Sequence, residues 1–102
     1  MTQSRVEQVR PHEWENWIST HQGAVLDVRE PAEWLMGTLP GAEKLSLGRL
    51  PTSLDDLDRS VPLLIVCRSG NRSQLAARFL AANGFTRVAN LVGGMVALGR
   101  AA

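Results

Sequence analysis

The sequence is short of several things, and each shortage excludes a class of protein. There is a single cysteine, Cys67, in 102 residues. A lone cysteine forms no internal disulfide and builds no cysteine-rich metal site. Its thiol is therefore either inert core or a nucleophile. Long apolar runs are also missing: the longest, residues 63–67, is far too short to cross a bilayer. Residues 1–20 include Glu7, Arg10, His12, Glu13 and Glu15 and hold no apolar block of the signal-peptide kind, so a cytoplasmic setting is expected. Neither sign of charge is in excess. Lys and Arg number 11 against 10 Asp and Glu, a net charge of +1. That balance offers no electrostatic case for nucleic acid or an anionic membrane surface as partner. Any anion binding must come from charge placed locally. No repeat or low-complexity tract is present. His12 and His21 stand in no metal-ligand spacing, so neither a metal nor a Cys-His acyl-transfer dyad is expected. There is no Gly-x-Gly-x-x-Gly and no Gly-Lys-Ser/Thr loop, which removes dinucleotide and P-loop sites.

What is present reads as an ordinary globular chain, 44% hydrophobic and 21% charged. Its length suits one domain over residues 1–102, burying roughly two thirds of the surface of the unfolded chain. Strands are expected at 5–9, 24–28, 44–47, 62–66 and 88–92. The clearest is 62–66, continuous, apolar and too short for a helix. Helices are expected at 11–20, with Pro11 at the first position and Trp14, Trp17 and Ile18 on one face, and at 31–35 behind Pro31. Gly23 is the expected stop of the first, and Gly37 of the second. A third is expected at 50–57, where Leu50, Leu54 and Leu57 recur at i, i+4, i+7. The strongest is 72–83, with Leu75, Ala76, Phe79 and Leu80 as its apolar stripe. Gly84 suits the position after that helix, and Phe85 should pack back on Leu80. A last helical turn is expected within 93–98. Strands alternating with helices predict an α/β domain, a parallel sheet with helices on both faces. Ligands of such sheets sit outside the carboxyl ends of the strands. Asp27 and Arg29, the loop after Val66, and Gly93-Gly94 all fall there.

That loop, Cys67-Arg68-Ser69-Gly70-Asn71-Arg72-Ser73, joins the clearest strand to the strongest helix. Three effects converge on its sulfur. Successive N–H groups in a tight turn form an anion-binding nest, and Gly70 permits the positive φ such a turn needs. The free N–H groups and positive dipole end of the following helix point to the same place. Arg68 and Arg72 add formal charge. All favour thiolate over thiol, and cysteines so placed have pKa values lowered into roughly the 3.5–7.5 range. The same cradle suits a persulfide, or a bound thiosulfate or phosphate. Asp27, at a strand end, either pairs with Arg29, caps the helix behind Pro31, or accepts hydrogen bonds from the active loop. Trp34 is placed as part of the wall near that loop, and Gly93 and Gly94 as the backbone that approaches it closely.

Four segments now carry a resemblance. Cys67-Arg68-Ser69-Gly70-Asn71-Arg72-Ser73 resembles the active-site loop of single-domain rhodaneses. Asp27-Val28-Arg29-Glu30-Pro31-Ala32-Glu33-Trp34 resembles the stretch after the family's second strand. Gly37-Thr38-Leu39-Pro40-Gly41-Ala42 resembles its Gly-His-Ile-Pro-Gly-Ala turn, with Thr38 in place of the histidine. Leu91-Val92-Gly93-Gly94-Met95 resembles its closing Gly-Gly element. The four stand in the family's order and spacing and cover essentially the whole chain. The resemblance implies a rhodanese-like, five-stranded parallel sheet. It implies a sulfurtransferase in which Cys67 takes the outer sulfur of a small anionic donor such as thiosulfate and yields it to cyanide or a thiol. The loop amides from Arg68 to Arg72 would stabilise the persulfide. No cofactor and no metal is implied. The alternative is a persulfide carrier that receives sulfur from a donor protein in a relay. Loop length separates sulfur from phosphate chemistry: Arg72 makes Cys-x4-Arg, one residue shorter than the Cys-x5-Arg of cysteine-dependent phosphatases.

Overall fold

The chain's clearest strand is apolar at every position because both of its faces are covered. In the computed structural model, which describes residues 5–100, that strand is the centre of one five-stranded sheet. The strands are β1 (Glu7–Val9), β2 (Ala24–Asp27), β3 (Glu43–Lys44), β4 (Leu63–Val66) and β5 (Val88–Leu91). Their order is β1-β5-β4-β2-β3, and every pair is parallel. The helices are α1 (Trp14–His21), α2 (Pro31–Trp34), α3 (Asn71–Ala82) and α4 (Gly94–Ala97). Side chains alternate across the pleat. Leu26, Leu63, Ile65 and Val88 pack with Ala76, Ala77 and Leu80 of α3. Val25, Leu64, Val66 and Ala89 pack on the other face with Trp17 of α1 and Met95 of α4. None of the described helices is long and apolar enough to cross a membrane.

Helix ends follow local chemistry. At the end of α3, the Phe85 N–H donates to the Leu80 carbonyl at 3.2 Å and the Gly84 N–H to that of Ala81 at 3.4 Å. That is the Schellman pattern, and Phe85 joins Leu80 in the same core layer, as expected. The end of α1 differs from expectation. Gln22, not Gly23, takes the left-handed turn, at φ 52. Gly23 serves the next step instead. A Cβ there would lie 3.0 Å from both the Pro62 carbonyl and the Trp17 ring, where the chain passes into β2.

Three further expectations change. The third strand is residues 43–44 instead of 44–47. Beyond it the Leu45 and Leu47 N–H groups still reach the Asp27 and Val28 carbonyls, at 3.0 and 3.1 Å. The helix expected at 50–57 is two 3-10 stretches, Leu47–Thr52 and Leu54–Asp56. Pro51 has no N–H to give to an α ladder, and Ser53 leaves helical geometry at φ −119. The spacing of Leu50, Leu54 and Leu57 nonetheless brings all three to the core. In α3 the buried face is Ser73, Ala76, Ala77 and Leu80, while Leu75 is exposed. Small residues there let the helix lie close to β4 and β5.

Leu80 is fully buried and anchors both α3 and its cap. Leu80→Ala should cost about 2–5 kcal/mol. A lower urea midpoint with an unchanged m value would show it.

Candidate active site

Strands β2, β4 and β5 end along one edge of the sheet, and the loop after β4 closes over that edge. Gly70, at φ 102, turns the chain into α3. The turn swings its own N–H back onto Cys67, 3.0 Å from Sγ. Ser73, in the first turn of α3, brings its hydroxyl to 3.2 Å from the same sulfur. Cys67 is only 1% exposed, and its inner side packs in the core layer beneath α3. Burial is the strongest single influence on the thiol and pushes its pKa up. Hydrogen bonds from the Ser73 side chain and from the Ser73, Gly70 and Ser69 backbone outweigh it, so the thiol lies below its ordinary value.

The loop's orientation is set from behind. The Met95 and Val96 N–H groups, at the start of α4, hold the Cys67 and Arg68 carbonyls, each at 2.9 Å. With the Arg68 carbonyl turned toward α4, the N–H of the same peptide, that of Ser69, faces the sulfur. Gly94 makes the approach possible. A Cβ on it would lie on the Cys67 carbonyl and 2.6 Å from the Arg68 carbonyl oxygen, so no larger residue fits. Gly93, beside it, lies close under Gly70 and lines one groove with Ser69, Gly70, Asn71 and Asn90. Asn71 begins α3, and Arg68 and Ser69 form the exposed rim of the loop.

Arg72 does not point its guanidinium at the sulfur as a free charge. It makes a two-pronged ion pair with Glu33 of α2, at 2.7 and 2.9 Å. The pair holds the Glu33 carboxyl down to about 2, chiefly through the Arg72 hydrogen bonds. Arg72 still interacts with Cys67 through space. Glu33 is placed by the segment behind it. Asp27, at the end of β2, takes the Arg29 guanidinium at 2.8–3.1 Å and the Thr38 hydroxyl at 2.6 Å. Arg29 also donates to the Gly37 carbonyl at 2.7 Å, closing the turn around α2. Burial pushes the Asp27 carboxyl up, but Arg29 and Thr38 together bring it below its usual range. Of the roles open to Asp27 in the sequence, pairing with Arg29 is the one the structure shows. Its hydrogen bonds run to Arg29 and Thr38 and not to the loop.

Trp34 ends α2, one residue beyond the Glu33 that pairs with Arg72. The cleft it lines is formed with Pro31, Lys44, Ser46, Arg49 and Ser53 and contains none of residues 67–73. Asn90 of β5 was not singled out in the sequence. It is 5% exposed, and its Oδ1 lies 2.5 Å from the Ser73 hydroxyl. The signal was available: Asn90 is the one polar residue in an otherwise apolar buried strand, as Asp27 is in β2. Among the described residues, no group of His, Cys, Asp and Glu could hold a metal ion.

Comparison with known proteins adds chemistry to this geometry. A family model described as a rhodanese-like domain matches residues 10–101. GlpE of Ectopseudomonas mendocina, named a thiosulfate sulfurtransferase, is 34% identical over 77 residues, 76% of this chain and 71% of that protein. YrkF of Bacillus subtilis, which bears the provisional name of a sulfur carrier protein, is 38% identical over 71 residues, 70% of this chain and 38% of its own. A crystal structure of a rhodanese-like domain protein from Staphylococcus aureus matches with a TM-score of 0.83 at 29% identity, covering 92% of each chain.

The Glu33–Arg72 pair has a pH signature. A carboxyl lowered in the fold stabilises it above its ordinary value, 4.5, and that stability is lost as pH falls toward about 2. Glu33→Gln should therefore be less stable than the parent at neutral pH. The gap should narrow across that interval, as followed by urea midpoints.

Proposed function

This chain belongs to the rhodanese-like family, and from that premise we propose that it is a sulfurtransferase working through a persulfide on Cys67. The observation that carries the reading is the pair of donors, the Gly70 N–H and the Ser73 hydroxyl, aimed at one sulfur at the mouth of α3. A structural cysteine needs neither. In the first step the Cys67 thiolate attacks the outer sulfur of thiosulfate. An S–S bond forms on Cys67, the S–S bond of thiosulfate breaks, and sulfite leaves with the electron pair. In the second step cyanide or a thiolate attacks the outer sulfur, leaves as thiocyanate or a new persulfide, and restores the Cys67 thiolate. No redox partner is required. The loop amides are donors set in advance for the anionic terminal sulfur, so little rearrangement is spent in the reaction. Thiosulfate as donor is supported by the name of GlpE and by the cationic rim at Arg68. A cytoplasmic setting, where thiols stay reduced, suits a lone reacting cysteine.

The name of YrkF favours a second reading, a carrier that accepts sulfur from a donor protein and hands it on. Steady-state turnover of thiosulfate and cyanide separates the two. A high kcat/KM marks the enzyme; loading only by a cysteine desulfurase marks the carrier.

Intact mass after thiosulfate treatment tests what both readings share. One added sulfur, ~32 Da, should appear on the parent and not on Cys67→Ser. An unmodified parent protein, after desulfurase loading as well, would overturn the persulfide. Arg68→Ala should raise KM for thiosulfate several-fold and leave an uncharged persulfide donor less affected. Equal losses for both would remove donor recognition from Arg68.

A further inference from the structure

Ser73 has one hydroxyl proton and two acceptors within reach. Its Oγ lies 3.2 Å from Cys67 Sγ and 2.5 Å from Asn90 Oδ1. One proton cannot serve both. Beyond Asn90 the bonds continue outward. Its Nδ2 donates to Gln8 Oε1 at 3.1 Å, and Gln8 Nε2 donates to Gln74 Oε1 at 2.8 Å. The sheet register builds this line, since Gln8 of β1 stands opposite Asn90 of β5. Ser73 and Asn90 are buried, while Gln8 is exposed, so the line runs from the sulfur to solvent.

The bond directions describe one of two consistent states. With Cys67 neutral, its S–H can donate to Ser73 Oγ, and the Ser73 proton is free to go to Asn90. With Cys67 ionised, the Ser73 proton is needed at the sulfur. Asn90 Oδ1 then loses its donor, and a buried acceptor left unpaired is destabilising. An amide has a way out that a carboxylate lacks. Its oxygen and nitrogen are nearly the same size and differ in hydrogen-bonding sense. If Asn90 turns over, Nδ2 donates to Ser73 Oγ and Oδ1 accepts from Gln8 Nε2. Gln8 turns in consequence, and Gln74 donates to Gln8. Every bond in the line is kept with its direction reversed.

We propose that Asn90 is a positioning residue whose amide turns over when Cys67 becomes anionic, and that Gln8 and Gln74 turn with it. The proposal rests on Cys67 being the reacting group and concerns how its anionic state is reached. The thiol proton goes to solvent base, and no covalent bond in the line changes. Around the sulfur, Arg72 of α3 pairs with Glu33 of α2, Asp27 pairs with Arg29 at the end of β2, and Arg68 is exposed in the loop.

Side-chain amide resonances of 15N-labelled protein provide the test. In the parent, the Asn90, Gln8 and Gln74 amides should shift with pH at the same midpoint as thiolate absorbance. In Ser73→Ala the thiolate should form at higher pH, and the Gln8 and Gln74 amides should no longer follow it. Two results overturn the proposal: amides that stay still while the parent's thiol titrates, or amides that follow it equally in Ser73→Ala. The parent experiment needs no substitution and so does not depend on a variant folding. Its readout is separate from the mass test for the persulfide, so either can fail alone.

Discussion

Two backbone bonds, from the Met95 and Val96 N–H groups to the Cys67 and Arg68 carbonyls, decide which way the loop over the sheet edge faces. A peptide unit carries its N–H and C=O on opposite sides. Tying the Arg68 carbonyl to α4 therefore turns the Ser69 N–H toward the sulfur. Without that tie, the loop could equally present carbonyl oxygens to the sulfur, and these would repel an anion. Gly94 is the condition for the tie, because any side chain there would occupy the space of the loop backbone. The hydrogen bonding around the Cys67 sulfur thus depends on a helix of four residues and on a glycine packed against the loop backbone.

A second support comes from the opposite side. Asp27 and Arg29 form a buried ion pair, 0% and 3% exposed, to which the Thr38 hydroxyl and the Gly37 carbonyl add further hydrogen bonds. Buried pairs of this kind are weak evidence for stability, since desolvation offsets much of their attraction. Their effect here is positional. They hold the turn around α2, α2 presents Glu33, and Glu33 holds Arg72 at the first turn of α3. An arginine paired in this way gives the sulfur a softened positive field. The burial that would otherwise raise the thiol is countered mainly by hydrogen-bond donors.

Much of this was legible in the chain. The apolar run at β4, the Pro31 and Gly84 signals and the alternation of strand and helix predicted the layers and the Schellman end of α3. Errors fell where local pattern met a competing constraint. Leucine spacing at 50, 54 and 57 reads as a helix, but Pro51 breaks the ladder, so the same leucines reach the core from 3-10 turns. Leu75 fits an apolar stripe, yet Ser73 and Ala77 hold the buried face, because packing distance to the sheet favours small side chains.

The site divides along the same line. The turn at residues 67–73 could be expected from sequence, because a strand, a glycine turn and a helix start are local events that place N–H groups within a few residues of the cysteine. What lies across the sheet could not. Arg72 reads as a free charge until α2 is seen to bring Glu33 against it over 39 positions of chain. Asn90 reads as an odd polar residue in a strand until α3 lies over β5 and sets Ser73 against it. Local backbone geometry follows from neighbouring residue types; partners distant in sequence are chosen only when the parallel order β1-β5-β4-β2-β3 brings them to one edge.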